Sequence, residues 1–149
     1  MAIPIIKQVP PESVGDKILF AGTDGKFYNA KGRELKPAFG PAMQRGTRNA
    51  RFSGSCYPIM ANFGGRLCHH LIWETFVGPR TKGMEIDHIN GNKMDWSLDN
   101  LQEVTPAENR KRAKILRILR NVIGRDPQKM SREELLHLFN KYEFKKQEL

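Results

Sequence analysis

The chain has 149 residues, with 25 Lys and Arg against 16 Asp and Glu, giving a formal net charge of +9 and a sequence pI near 9.8. That length buries one useful core and not two large ones, and no apolar run is long enough to span a membrane. The basic surplus suits a phosphate-bearing partner bound in a salt-sensitive way.

Met1 to Pro11 is proline-rich and lacks the basic start of a secretion signal, so a cytoplasmic protein is expected. Cys56 and Cys68 are the only cysteines, and they form no C-x-x-C pair. Neither a disulfide nor a structural zinc is therefore expected. Ile18 to Ala21 and Lys26 to Asn29 read as strands around the turn Thr23-Asp24-Gly25, and Lys31-Gly32 offers a second turn. Met43 to Arg51 is a basic loop in which Arg45, Arg48 and Arg51 are candidates to follow a nucleic-acid backbone; an exposed loop without that role is an equal reading. A further strand pair, Tyr57 to Asn62 and Arg66 to Cys68, flanks Gly64-Gly65. Leu71, Ile72 and Phe76 then stand at helical spacing, and Gly78-Pro79 stops that helix.

Met84 to Ile89 alternates around Ile86 and Ile89 and predicts a short strand, reversed at once by Asn90-Gly91-Asn92. Leu101 to Val104 reads as a second strand. Thr105-Pro106-Ala107-Glu108 has the form of a capping box with proline at the first helical position, which fixes a helix start. Asn109 falls in its first turn, facing back toward Asp87 and His88. Asparagine is a poor helix-interior residue, which favours a role for its side chain. Arg110, Lys111, Arg112, Lys114, Arg117, Arg120 and Arg125 follow with no acid before Asp126. They interleave with Ile115, Leu116, Leu119, Val122 and Ile123, an apolar stripe that needs cover from the domain or a partner. Ser131-Arg132-Glu133-Glu134 is a second capping box, with Met130 and Leu135 placed as a hydrophobic staple. Leu135, Leu138, Phe139 and Tyr142 mark the buried stripe of the helix it starts, for which packing on the core is the commonest outcome.

Asp87-His88, the Asn-Gly-Asn turn, Asp99-Asn100-Leu101 and the capped helix carrying Asn109 together resemble the HNH nucleases of the homing-endonuclease type, with Asn100 twelve and Asn109 twenty-one positions after His88. The run Cys68-His69-His70-Leu71-Ile72-Trp73-Glu74-Thr75-Phe76-Val77-Gly78-Pro79 is similar to the helix that precedes the core in that family. The resemblance implies an α+β fold with a ββα-metal nuclease core, N-terminal β-hairpins and a C-terminal helical segment. It further implies hydrolysis of DNA phosphodiester bonds, with Asp87 and Asn109 as metal ligands and Asn100 as support for the loop and the base. His88 is the candidate general base, because a neutral imidazole with a pKa of about 6.5 accepts a proton from water near neutral pH. Asp87 and His88 leave the strand on opposite faces unless it bends there, as the turn at Asn90 allows. Two hard oxygen donors, completed by phosphate and water, suit Mg²⁺, with Mn²⁺ as a substitute.

His69 belongs either to the periphery of this site or, the favoured reading, to the packing beneath it. The His69-His70 doublet is also similar to the toxin branch of the HNH group, but no metal-facing helix follows it at the needed distance. Three segments are expected: 1–65, a strand-rich DNA-binding appendage loosely similar to modules of homing endonucleases; 66–125, the nuclease core with its basic helix; and 126–149, the C-terminal helix. Lys93, Arg110, Lys111, Arg112, Lys114 and Arg117 join the three loop arginines as candidates to bind double-stranded DNA. A single site per chain favours a monomer that nicks, with a homodimer open, in the setting of a phage or mobile element. A DNA-binding regulator with a decayed nuclease site is the alternative, against which the intact Asp87, His88 and Asn109 argue.

Overall fold

The computed structural model describes residues 2–39 and 57–147, the side chains of Phe39 and of residues 142–147 excepted. The basic loop with Arg45, Arg48 and Arg51 lies outside the described residues, as do Cys56 and the Tyr142 side chain. The fold is α+β. A first antiparallel sheet joins β1 (Ile6–Gln8), β2 (Phe20–Gly22), β3 (Phe27–Tyr28) and β4 (Glu34–Leu35) in that order, with the single turn of α1 (Pro11–Val14) between β1 and β2. The strand expected from Ile18 starts two residues later than its pattern suggested, because pairing with β1 begins at Phe20 while Leu19 and Ala21 supply the buried positions.

A second sheet has the order β5 (Ala38–Phe39), β6 (Pro58–Met60) and β7 (Arg66–Leu67). Its β6 ends at Met60, short of the expected Asn62, since Ala61–Phe63 turn as a 3-10 helix into left-handed Gly64 and Gly65. Helix α2 (Cys68–Phe76) buries Cys68, His69, Leu71, Ile72 and Thr75. It stops where Val77 N–H and Gly78 N–H both donate to the Trp73 carbonyl, at 2.8 and 3.1 Å, with Gly78 at φ 139°. Then come β8 (Glu85–His88) and β9 (Leu101–Val104), an antiparallel pair in which Asp87 faces Gln102 and His88 faces Leu101. Helix α3 (Pro106–Ile118) starts as the sequence predicts: Thr105 Oγ1 accepts from Glu108 N–H at 3.2 Å while Glu108 Oε2 accepts from Thr105 N–H at 3.1 Å.

One apolar core runs from Val9, Leu19, Ala21 and Phe27 of the first sheet through Leu71 and Ile72 of α2 to Ile86 and Leu101 of the β8/β9 pair. That packing runs on across residue 65, joining the first sheet to α2 and the β8/β9 pair. The two parts are also clamped by polar contacts. Trp96 Nε1 donates to the Gly25 carbonyl at 2.6 Å, and Leu98 N–H donates to the Thr23 carbonyl at 2.9 Å.

The apolar stripe of α3 finds its cover inside the chain. Ile115, Leu116 and Leu119 pack with Ile89 against Leu135 and Phe139 of α4 (Arg132–Gln147). That helix begins at a reciprocal Ser131 and Glu134 capping box. Val122 and Ile123 do not share the cover; they are 76% and 59% exposed. The reason is local: residues Leu119–Ile123 form a π-helical turn ended by left-handed Gly124, and its wider winding rotates these two off the 3.6-residue stripe. No helix among the described residues is long and apolar enough to cross a membrane.

Gly25 combines a φ of +90° with a position where an added Cβ would meet Trp96 Cδ1 at 2.9 Å. Gly25→Ala should therefore cost about 2 kcal/mol or more, through backbone strain and overpacking together. A lowered urea midpoint at unchanged m value would show this; an unshifted midpoint would mean that the Trp96 clamp contributes nothing.

Candidate active site

Strand β8 carries exposed Glu85, buried Ile86, half-buried Asp87 and buried His88 in alternation. Strict alternation would send Asp87 and His88 to opposite faces, yet both line one cleft of about 360 Å³ together with Tyr57, Gly91, Lys93, Asn109, Arg110 and Arg120. The strand ends at His88, whose carbonyl accepts from Gly91 N–H at 2.8 Å across a turn with Gly91 at φ 76°. A larger cleft of about 500 Å³ beside Pro10 and Glu74 carries no imidazole, so chemistry and not size selects the site.

Asn100, only 8% exposed, holds this reversal in place. Its Oδ1 accepts from Asn90 N–H at 3.1 Å, and its Nδ2 donates to Asn90 Oδ1 at 2.9 Å and to the Asp95 carbonyl at 2.8 Å. Its own carbonyl accepts from Ile89 N–H at 2.8 Å. The loop between β8 and β9 is thereby stitched to the residues that directly follow His88.

His88 is 4% exposed, and its Nε2 is buried without a hydrogen-bond partner among the described residues. Burial pushes its pKa down to about 4, with the Asp95 charge opposing and the Lys93 charge adding to the shift, so the ring is neutral near pH 7. Its ring stacks on Tyr57, with centroids 5.9 Å apart, and meets His69 edge-on at 4.6 Å. His69 is equally buried, and its pKa falls to about 2, first through burial and then through the neighbouring His88 and His70. It lies against His88, Tyr57 and His70 and outside the residues that line the cleft. Cys68 is a core residue: burial pushes its thiol up to about 12, which leaves no thiolate for nucleophilic chemistry.

Asp87 Oδ2 accepts from Gln102 Nε2, its register partner on β9, at 3.0 Å. Burial raises the Asp87 carboxyl above the usual carboxylate range, while the Gln102 hydrogen bond and the Arg112 charge oppose that shift. Asn109 reaches back toward β8, but its amide nitrogen meets Glu85 Oε2, at 2.5 Å. Asp87 and Asn109 thus offer two hard oxygen donors to one cleft. Among the described residues no three of His, Cys, Asp and Glu converge as a metal cage. A donor set of this kind fits a divalent cation that keeps most of its positions for water and phosphate.

The basic candidates separate by position. Lys93 and Arg110 line the cleft, and so does Arg120; Lys111, Lys114 and Arg117 are exposed along α3. Arg112, half-buried, is placed differently from these. It lies three and four residues before Ile115 and Leu116, on the buried stripe of the helix. Its Nε and Nη1 are buried without hydrogen-bond partners among the described residues, and its guanidinium carbon sits 5.3 Å from the centre of the Phe139 ring. Sequence reading missed Glu85 and Gln102, which a count by twos from Asp87 and the β9 register would have found. It also missed Tyr57, brought to His88 from the second sheet, for which the local sequence holds no signal.

Residues 66–111 match the family model described as HNH endonuclease, a segment that takes in α2, β8, β9 and the start of α3. Over 41 residues the chain is 49% identical to "Protein 3.8" of Escherichia phage T7, a match covering 28% of this chain and 34% of that protein. Over 43 residues it is 44% identical to "SPbeta prophage-derived putative HNH homing endonuclease YosQ" of Bacillus subtilis (strain 168), covering 29% of this chain and 25% of that one. The chain therefore matches about a third or less of the length of these curated relatives. No solved structure matches it at a significant level.

Asn100→Ala removes the side-chain hydrogen bonds to Asn90 and Asp95 and leaves buried polar groups without partners. The expected cost is about 2–3 kcal/mol, seen as a fall of roughly 5–10 °C in thermal midpoint for a chain of this size. A variant that melts with the wild type would show that the loop is held elsewhere.

Proposed function

We propose that the protein is a Mg²⁺-dependent DNA endonuclease of the homing type that hydrolyses phosphodiester bonds one strand at a time. The observation that carries this reading is the meeting of an unpaired, neutral His88 Nε2 with Asp87 and Asn109 in one cleft that Lys93, Arg110 and Arg120 also line. The name of the prophage relative, which is that of a homing endonuclease, supports the setting.

Cleavage needs an activated water, stabilisation of charge on the phosphate, and help for the departing 3′ oxygen. His88 Nε2 takes the proton from water: it has no hydrogen-bond partner among the described residues, and burial against Tyr57 and His69 holds the ring in place. Asp87 and Asn109 would hold the cation, which when bound stabilises charge on the scissile phosphate and on the leaving oxygen. Arg110 and Arg120 draw the DNA backbone into the cleft, while Lys111, Lys114 and Arg117 extend the track along α3, and Arg45, Arg48 and Arg51 are further candidates for backbone contact. Each chain has one such site, so a monomer nicks.

With Mn²⁺ or Mg²⁺ and a plasmid pool that includes recognised sites, supercoiled circles should convert to nicked circles before linear product appears, and a chelator should stop the reaction. His88→Ala should slow single-turnover cleavage by roughly two to four orders of magnitude while DNA binding persists. A folded variant that cuts at near-normal rate would remove His88 from the base role, and wild-type binding without any cleavage would favour a regulator.

The exposed cations allow a separate check. Replacing Lys111, Lys114 and Arg117 by alanine should weaken DNA binding across sequences and reduce the slope of log K against log salt by about 1 for each phosphate no longer neutralised. An unchanged slope would place the DNA track on another face.

A further inference from the structure

Glu85 precedes Asp87 by two residues on β8, so the two carboxylates leave the strand on the same face. Its Oε2 accepts from Asn109 Nδ2 at 2.5 Å, across from β8 to the first turn of α3. This contact decides something that asparagine by itself leaves open. The two ends of the amide have nearly the same shape, but one is a donor and the other an acceptor, and only the oxygen is a ligand for a hard cation. A carboxylate only accepts, so beside Glu85 the nitrogen must face the carboxylate and Oδ1 must turn away from it. Asp87 is oriented by a different partner, Gln102. Glu85 is exposed and takes no part in either apolar core, so its side chain is not there to fill space.

We propose that Glu85 is a positioning residue, which by holding the Asn109 amide nitrogen presents Asn109 Oδ1 to a divalent cation in the cleft. The proposal rests on the proposed role of Asn109 as a ligand. A partner that fixes a ligand's orientation is worth about 10–100-fold in metal affinity in metal sites generally, and Asn109, which brings no charge of its own, depends on its orientation for what it contributes. Glu85 also adds negative charge beside Asp87, where burial is the main cause that raises the carboxyl and the Glu85 charge adds to it. Charge attraction is therefore the competing explanation, and substitution separates the two. Glutamine keeps an acceptor oxygen and loses the charge, whereas alanine loses both.

The test is a Mn²⁺ titration of the full chain without DNA, read by the electron paramagnetic resonance signal of free Mn²⁺, with single-turnover cleavage measured in parallel. Glu85→Ala should raise the Mn²⁺ dissociation constant roughly tenfold, while Glu85→Gln should keep most of the wild-type affinity. The double variant Glu85→Ala/Asn109→Ala should bind no more weakly than Asn109→Ala, because Glu85 acts through Asn109. Glu85→Gln as weak as Glu85→Ala would overturn the proposal in favour of charge or direct ligation by Glu85, and so would additive losses in the double variant. Asn109→Ala with unaltered affinity would sink the ligand reading and the proposal with it, whereas a weakened Asn109→Ala beside an unaltered Glu85→Ala would sink the positioning role alone. Thermal midpoints close to wild type show that the variants are folded, as the exposure of Glu85 leads one to expect.

Discussion

The side-chain amide of Asn100 is the fixed point around which the site is arranged. A short antiparallel pair such as β8 and β9 is weak by itself, and the twelve residues between His88 and Leu101 have to fold back closely enough to leave the cleft open. Asn100 does this by committing its amide to Asn90 and Asp95, which ends β8 at His88 and lets Asp87 and His88 reach one cavity despite their alternation. The Asp87 and Gln102 pair then follows from the register, and the same register sets Glu85 opposite the start of α3.

The site keeps polar groups in environments that do not satisfy them. Among the described residues, His88 Nε2 and two guanidinium nitrogens of Arg112 are buried without hydrogen-bond partners, and Asp87 is held where burial works against its charge. Each of these costs folding free energy, of the order of 1–3 kcal/mol for an unmet buried polar group. Such groups concentrate where chemistry is done. An acceptor nitrogen already paired to a protein donor has no capacity for a further proton, and His88 Nε2 has no such partner among the described residues. Arg112 stands differently: packed on Phe139 and beside Asp87, it links the charge balance of the cleft to the C-terminal helix.

Stability to offset these costs comes from the two apolar clusters on either side. The first ties the N-terminal sheet to α2 and to the β8/β9 pair, with the Trp96 clamp on Gly25 closing the seam. The second sets α3 by packing Leu116 and Leu119 under Leu135 and Phe139. Asn109 and Arg112 stand one turn apart on neighbouring positions of α3, so the angle at which α4 grips that helix also governs how Asn109 addresses β8. Elements outside the matched segment 66–111 are therefore structural parts of the site.

The sequence by itself determined the local events: the capping boxes at Thr105 and Ser131, the reversal after His88 and the stop at Gly78. These were legible because each depends on a few adjacent residues whose side chains satisfy nearby backbone or break its regular path. Tertiary structure decided everything that depends on distance through space. It brought Tyr57 and His69 to the His88 ring, gave Asn109 a partner in Glu85, turned Arg112 from solvent to Phe139, and covered the stripe of α3 with the chain's own last helix. A one-dimensional pattern of apolar and charged residues states which side chains prefer burial, but the partner each finds there is set by how sheets and helices pack, and local periodicity does not encode that.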